Sequence, residues 1–316
     1  MTDPTTHAQA HPNIALVKYW GKADVRVNIP ATPSLSITLD TLASRTSVRN
    51  AQHNNDEISL NGEPSHDLKI LNWLTQLRQQ FDIPPLQISS KNNFPTASGL
   101  ASSASGFAAL ITAINQHCAL NLDVNQRSIW ARRASASAAR SIHGGWTSLA
   151  GPQWYGQPLE SNWAVNVVVA ITDRAPKTVA SSVGMTASRD QSAFYPAWVD
   201  STADDYLAGQ TAVADQDFAA LADIAEHSCL KMHGLMLSTG PGLMYWNPAT
   251  LAALHAIRSL RAEGHAVFFT VDAGPQVKAV CLPEAATLVE RTLTDIEGVH
   301  QTIRVGLGDG AQLIAH

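Results

Sequence analysis

Lysine is scarce in this chain, seven residues in 316, and two of the seven stand four apart in NIALVKYWGK, residues 13–22. Ile14, Ala15, Leu16 and Val17 read as a buried strand, which puts Lys18 at a strand end beside Tyr19 and Trp20. A cation there calls for an anionic partner, because an uncompensated buried charge is costly. The other placement for Lys18 and Lys22 is a solvated rim, where most lysines sit. An acid stands in FFTVDAGP, residues 268–275. Asp272 follows a β-rich apolar run and precedes Ala-Gly-Pro, so it occupies a strand end in a tight turn. An acid so placed often bonds its own turn backbone, and on the residue alone that reading prevails. Arg140 lies in SASAARS, residues 135–141. With Ser135 and Ser137 two apart beside it, its guanidinium can take a bidentate grip on a carboxylate or phosphate. The same place, at the end of a small-residue helix, also suits a cation answering the helix dipole.

FPTASGLASSASGF, residues 94–107, is built from nine Gly, Ala or Ser in fourteen, and residues 92–122 contain no Asp, Glu, Lys or Arg. Ser98, Gly99, Ser102 and Ser103 bare the backbone and add hydroxyls. Phe107, Leu110, Ile111 and Ile114 then recur at helical spacing. A small-residue loop feeding a helix N-terminus presents unpaired N–H groups and a positive dipole end, which suits phosphate. A Ser/Ala-rich helix packed closely on a sheet would have the same composition.

The elements that must position these groups follow from periodicity. Residues 34–40, 44–49, 57–60 and 86–90 read as strands, with an Asn61-Gly62 turn after the third. Residues 67–81 place Ile70, Leu71, Leu74, Leu77 and Phe81 on one helical face. A helix over about 124–139 follows the charge-free one, and residues 141–159 read as a loop and hairpin over the site. Residues 1–10 are polar and read as a loose tail. The strand at 164–171 opens a second half of helices (about 203–208, 218–236 and 248–262). Strands at 265–271 and 278–282, a helix to about 295 and a strand at 302–305 close it. Gly264 supplies a helix stop. Mixed strands and helices in both halves imply an α+β fold.

Composition narrows the function. Hydrophobic residues make up 45% and charged residues 15%, and the net charge is −5. With no Lys/Arg-rich run, nucleic acid and anionic membranes are not expected partners. No uncharged stretch reads as a transmembrane helix and no signal peptide is visible. Cys118, Cys229 and Cys281 fit reduced thiols of a cytoplasmic protein. Twelve histidines carry no metal-ligand spacing.

Five segments occur in order: NIALVKYWGK, PSLSITLD, FPTASGLASSASGFAAL, SAARSIHGG and TVDAGP. Together they resemble the defining segments of the diphosphomevalonate decarboxylases, a family of the GHMP kinase superfamily. The resemblance implies a ribosomal-protein-S5-domain-2-like N-terminal half (11–163) and a ferredoxin-like C-terminal half (164–316), with the cleft between them. It implies ATP and Mg²⁺ as cofactors. ATP would contact Asn92, Ser98, Gly99, Leu100, Ala101, Ser102, Ser103 and Ser105, and the metal would lie near Ser103. Asp272 would face the tertiary C3 hydroxyl of mevalonate 5-diphosphate, Lys18 the moving phosphoryl group, and Arg140 the substrate carboxylate or a neighbouring phosphate. Asn13, Tyr19, Lys22, Ser135, Ser137 and Ser182 would bind the substrate. Val183 stands where some family members carry an arginine, which leaves open a mevalonate 5-phosphate decarboxylase. A kinase that stops after phosphorylation and a binding protein without catalysis are the other readings. A homodimer is the implied assembly.

Overall fold

The computed structural model describes residues 4–94, 102–175 and 178–315. In chain order the first half runs through β1 (Thr6–Ala10), β2 (Asn13–Val17), β3 (Lys22–Asp24), β4 (Ile29–Pro30), β5 (Ser34–Thr38), β6 (Ser44–Asn50), β7 (Glu57–Leu60) and β8 (Glu63–Pro64). Then come α1 (Leu68–Arg78), β9 (Leu86–Asn92), α2 (Ser102–His117), α3 (Val124–Ala134), α4 (Ala138–Ser141), β10 (Trp146–Leu149) and β11 (Gly156–Pro158). The second half holds β12 (Asn166–Ile171), α5 (Ser181–Gln191), α6 (Tyr195–Ala214), α7 (Phe218–Leu237) and α8 (Pro248–Ala262). It closes with β13 (Val267–Val271), β14 (Val277–Cys281), α9 (Ala286–Thr294), β15 (Gln301–Val305) and β16 (Gln312–Leu313).

Three main sheets result. One has the order β16-β1-β6-β9-β7-β8, a second β11-β10-β5-β2, and a third β13-β14-β12-β15. The third is the antiparallel sheet of a β-α-β-β-α-β unit, the ferredoxin-like arrangement. Its strands β12, β13 and β14 are almost wholly buried, as expected of apolar runs covered on both faces. α2 packs on the first sheet through Phe107, Leu110, Ile111 and Ile114, so its expected apolar stripe is its core face.

The second sheet and the third share one core. Ile14, Leu16, Val17, Leu35 and Ile37 join Val167, Val169, Phe268 and Val280, with Leu221, Ala222 and Ala225 of α7. This shared packing brings the end of β2 to the end of β13, although they are far apart in sequence.

Several expectations need correction. Residues 6–10 are not a loose tail: β1 is paired on both sides, with β6 and with β16. Ala8 and Ala10 are fully buried; two alanines carry too weak an apolar signal to reveal the strand. The chain end also returns to the first half. Gly308 N donates to Thr38 O, Ala311 N to Ile142 O, and Ile314 N to His7 O. The second helix breaks at Ala134, where Ser135 turns extended (φ −151°, ψ 121°), and resumes as the short α4. The β10–β11 hairpin exists, but it edges the second sheet and none of its residues lines the cleft. Finally, α6 is longer than read, and α5, poor in large apolar residues, was not foreseen as a helix.

Candidate active site

A cleft of about 770 Å³ opens between the two halves. From β2 and the turn after it come Asn13, Lys18, Tyr19 and Lys22; from the head of α2, Ser102 and Ser103; from the α3–α4 corner, Ser135, Ser137 and Arg140. The second half contributes Ser181 and Ser182 at the first turn of α5, and Asp272. Most of the residues singled out in the sequence therefore meet on one surface.

At its floor is an ion pair. Lys18, 1% exposed, places Nζ 2.5 Å from Asp272 Oδ1. Its backbone N donates to Ser228 Oγ of α7 at 2.9 Å, which pins the end of β2. Asp272 sits in the expected turn, with Gly274 N donating to its carbonyl. Sequence reasoning missed a third member, Lys278 of β14, whose Nζ lies 3.2 Å from Asp272 Oδ2. The signal was present: a lone lysine within the apolar run VKAVC meets the same test that picked out Lys18. Burial alone would raise the Asp272 pKa. The two ammoniums and their hydrogen bonds outweigh it and hold the carboxyl well below the usual carboxylate range. Burial in turn pushes the Lys278 pKa down, against the attraction of Asp272.

Arg140 is 2% exposed. Its Nε and Nη2 donate to Asn13 Oδ1 at 3.2 and 3.1 Å, and its Nη1 donates to Ser34 Oγ at 2.6 Å. Asn13 is in turn held by donating to Ser137 O and Ser141 Oγ. The Asn13 amide is thus engaged on both ends with protein groups, and the geometry fits a residue that aims Arg140 better than one that grips a ligand. Burial brings the Arg140 pKa down to about 10, opposed by Tyr19 and Asp272, so it stays a cation at neutral pH. Burial pushes the Tyr19 hydroxyl up to about 12, with Arg140 opposing. Burial also lowers the Lys22 pKa.

Across the cleft, Ser102 and Ser103 open the described part of α2, and Ser103 Oγ lies 3.3 Å from Ser135 Oγ. Ser135 Oγ is also 3.3 Å from Ser137 Oγ. This hydroxyl row and the helix dipole form an anion-receiving wall. Lys22, Arg26, Lys69 and Arg133 line the mouth. Ser98, Gly99, Leu100 and Ala101 lie outside the described residues. Two expected nucleotide contacts are placed elsewhere. Ser105 is fully buried and its Oγ lies 2.7 Å from Ser44 Oγ, because it falls on the sheet face of α2. Asn92 accepts from the same Ser44 Oγ and does not line the cleft. Val183 is 61% exposed and also lies off the cleft lining.

The two-half α+β architecture and this cation-lined cleft, with a serine-headed helix on one wall and a lysine–carboxylate pair on its floor, define a GHMP-kinase-type enzyme. Residues 10–153 match the diphosphomevalonate decarboxylase-like N-terminal domain and residues 167–304 the mevalonate 5-diphosphate decarboxylase C-terminal domain. The diphosphomevalonate decarboxylase of Aspergillus fumigatus is 33% identical over 90% of this chain and 79% of its own. The human enzyme is 31% identical over 83% of this chain and 73% of its own. Among solved structures, mevalonate diphosphate decarboxylase from Staphylococcus aureus superposes with a TM-score of 0.92 at 33% identity, covering 98% of each chain. The Enterococcus faecalis enzyme, described through its mevalonate diphosphate-mediated ATP binding, gives 0.90 at 34% identity over 99% of each chain. The chain belongs to the diphosphomevalonate decarboxylase family.

Proposed function

We propose that this protein converts mevalonate 5-diphosphate and ATP to isopentenyl diphosphate, ADP, phosphate and CO₂, through phosphorylation of the C3 hydroxyl. The observation that carries this reading is the Lys18–Asp272 pair on the floor of a cleft whose opposite wall is the head of α2. A kinase-like site needs positioning and charge neutralisation more than covalent chemistry.

Asp272, flanked by two cations and kept ionised, orients the C3 hydroxyl by accepting its hydrogen bond. With its pKa held so low it is a weak base, so the proton leaves late in the transfer. Lys18 neutralises the moving phosphoryl group, and the dipole of α2 with Ser102 and Ser103 receives the phosphates of ATP. The serine hydroxyls are hard oxygen donors that fit a Mg²⁺ ion carried in on phosphate; such an ion would neutralise phosphate charge. No cluster of three or more His, Cys, Asp or Glu among the described residues offers an all-protein metal cage. Of the described serines in this segment, Ser102 and Ser103 face the cleft and are read as ATP contacts, and Ser105 is not. Arg140 faces the substrate carboxylate; departure of the C3 phosphate leaves cationic character at C3, which draws the carboxylate electrons and releases CO₂. Tyr19, Lys22, Ser135, Ser137 and Ser182 line the route to the diphosphate. The cationic mouth of Lys22, Arg26 and Arg133 supports a diphosphate over a monophosphate, despite the absence of an arginine at Val183.

Supplied with mevalonate 5-diphosphate, ATP and Mg²⁺, the purified protein should release CO₂, ADP and phosphate in equal amounts. Asp272→Asn should lower kcat on the order of a hundredfold or more. ADP without CO₂ would make it a kinase, faster turnover of mevalonate 5-phosphate would change the substrate, and normal turnover by the Asn variant would remove Asp272 from the mechanism. Family membership also supports a homodimer, which sedimentation velocity tests against the 33.8 kDa monomer, and a cytoplasmic location, which cell fractionation tests.

A further inference from the structure

Asp272 carries two lysines where one would neutralise it. Lys18 holds Oδ1 and Lys278 holds Oδ2. Their positions differ in one respect that matters for catalysis. Lys18 lines the cleft with Asp272, whereas Lys278 stands behind it on β14, paired with Thr270 of β13, 1% exposed and off the cleft lining. Lys18 can reach an incoming group and Lys278 cannot.

The surroundings add positive charge. Arg140 lies within electrostatic range of Asp272 from α4. From α7, Cys229 and His233 face the trio; burial raises the pKa of the thiol and lowers that of the imidazole, so both are neutral at pH 7. Lys18, Lys278 and Arg140 thus face one carboxylate, an excess of cation that suits an anionic substrate. When a phosphoryl group enters, it competes with Asp272 for Lys18. A half-buried carboxylate deprived of its counterion is destabilised and its pKa rises, so that a proton competes for the oxygen that should accept the C3 hydroxyl.

We propose that Lys278 is a positioning residue for the reaction: it holds Oδ2 of Asp272 throughout, so that Lys18 is free to leave Oδ1 for the transferring phosphoryl group. No covalent step is added; the vacated Oδ1 accepts the hydrogen bond of the C3 hydroxyl, and Lys278 keeps its protons. The proposal rests on the decarboxylase reading above.

The test compares the full-length wild type with Lys278→Gln and Lys278→Arg, using mevalonate 5-diphosphate, ATP and Mg²⁺, and reads kcat, KM and the pH profile of kcat. Lys278→Gln should lower kcat on the order of a hundredfold and leave both KM values within about threefold. Its acid limb should move up by about one pH unit or more, because Asp272 in the complex has lost its remaining counterion. Lys278→Arg should keep the wild-type acid limb and recover most of the rate. A merely structural lysine would lower the melting temperature without moving the limb. An acid limb unmoved in Lys278→Gln overturns the proposal; if that variant does not fold, a limb shifted in Lys278→Arg overturns it. A wild type that releases no CO₂ sinks the decarboxylase reading and this proposal together, whereas an active wild type with an unmoved limb sinks the proposal alone.

Discussion

Arg140 shows how a single residue was only half legible. Its type and the serines around it implied an anion grip, but the acceptors that aim it, Asn13 and Ser34, come from other strands. Lysine at this position would keep the charge and lose the planar fork that spans both. Arg140→Lys should therefore raise KM for mevalonate 5-diphosphate about tenfold or more and lower kcat, with KM for ATP much less affected. Steady-state kinetics in each substrate check this, and unchanged constants would remove Arg140 from the substrate contacts. Ser105 and Asn92 show the opposite error. A run of serines in the loop looked uniformly available, yet helical geometry turns Ser105 to the sheet and leaves Ser102 and Ser103 on the cleft.

Among the elements, α7 is the one whose role no local pattern disclosed. β13 is an edge strand with β14 on one side only, and side chains of α7 cover its open edge. Phe269 N donates to Glu226 Oε1, Val271 N to Cys229 Sγ, and His233 Nε2 lies 3.2 Å from Val271 O. Residues 226, 229 and 233 share one helical face, so a helix completes the hydrogen bonding of the strand that ends at Asp272. Burial holds the His233 pKa down to about 3, against 6.5 when exposed. The imidazole is neutral in the folded chain, while the unfolded chain takes up its proton as pH falls below 6.5. This contribution is complete above pH 6.5 and is lost between there and about pH 3, at up to about 1.4 kcal/mol per pH unit. His233→Gln, which keeps a donor for Val271 O and does not titrate, should flatten that part of the curve. Urea unfolding at pH 7 and pH 5 measures it; equal slopes for variant and wild type would show that His233 is not buried neutral.

At the scale of the molecule, charge is distributed unevenly. The chain carries a net −5, yet Lys18, Lys22, Arg26, Lys69, Arg133 and Arg140 line a cleft that carries, among the described residues, the acids Asp67 and Asp272. Phosphate substrates are drawn to the exception. Raising salt from about 0.1 M to about 1 M shortens the screening length from roughly 10 Å to roughly 3 Å. KM for mevalonate 5-diphosphate should then rise severalfold with a smaller change in kcat, and an uncharged osmolyte should leave both alone. A KM indifferent to salt would assign binding to the buried groups rather than the mouth.

Features that depend on neighbours along the chain were readable from residue order alone. The strand ending at Lys18, the strand and turn at Asp272, the apolar stripe of α2 and the helix–strand order from α7 to β15 all follow from periodicity and turn chemistry. Five ordered segments were enough to indicate the family. Which side chains share a surface was left to packing, because it depends on two sheets meeting through one core to bring the ends of β2 and β13 together. Lys278 joining Asp272, Asn13 turning to Arg140, Ser105 facing the sheet, and residues 6–10 becoming a central strand are all outcomes of such packing. A local pattern shows that a lysine will be buried; the carboxylate that compensates it is chosen by strands remote in sequence.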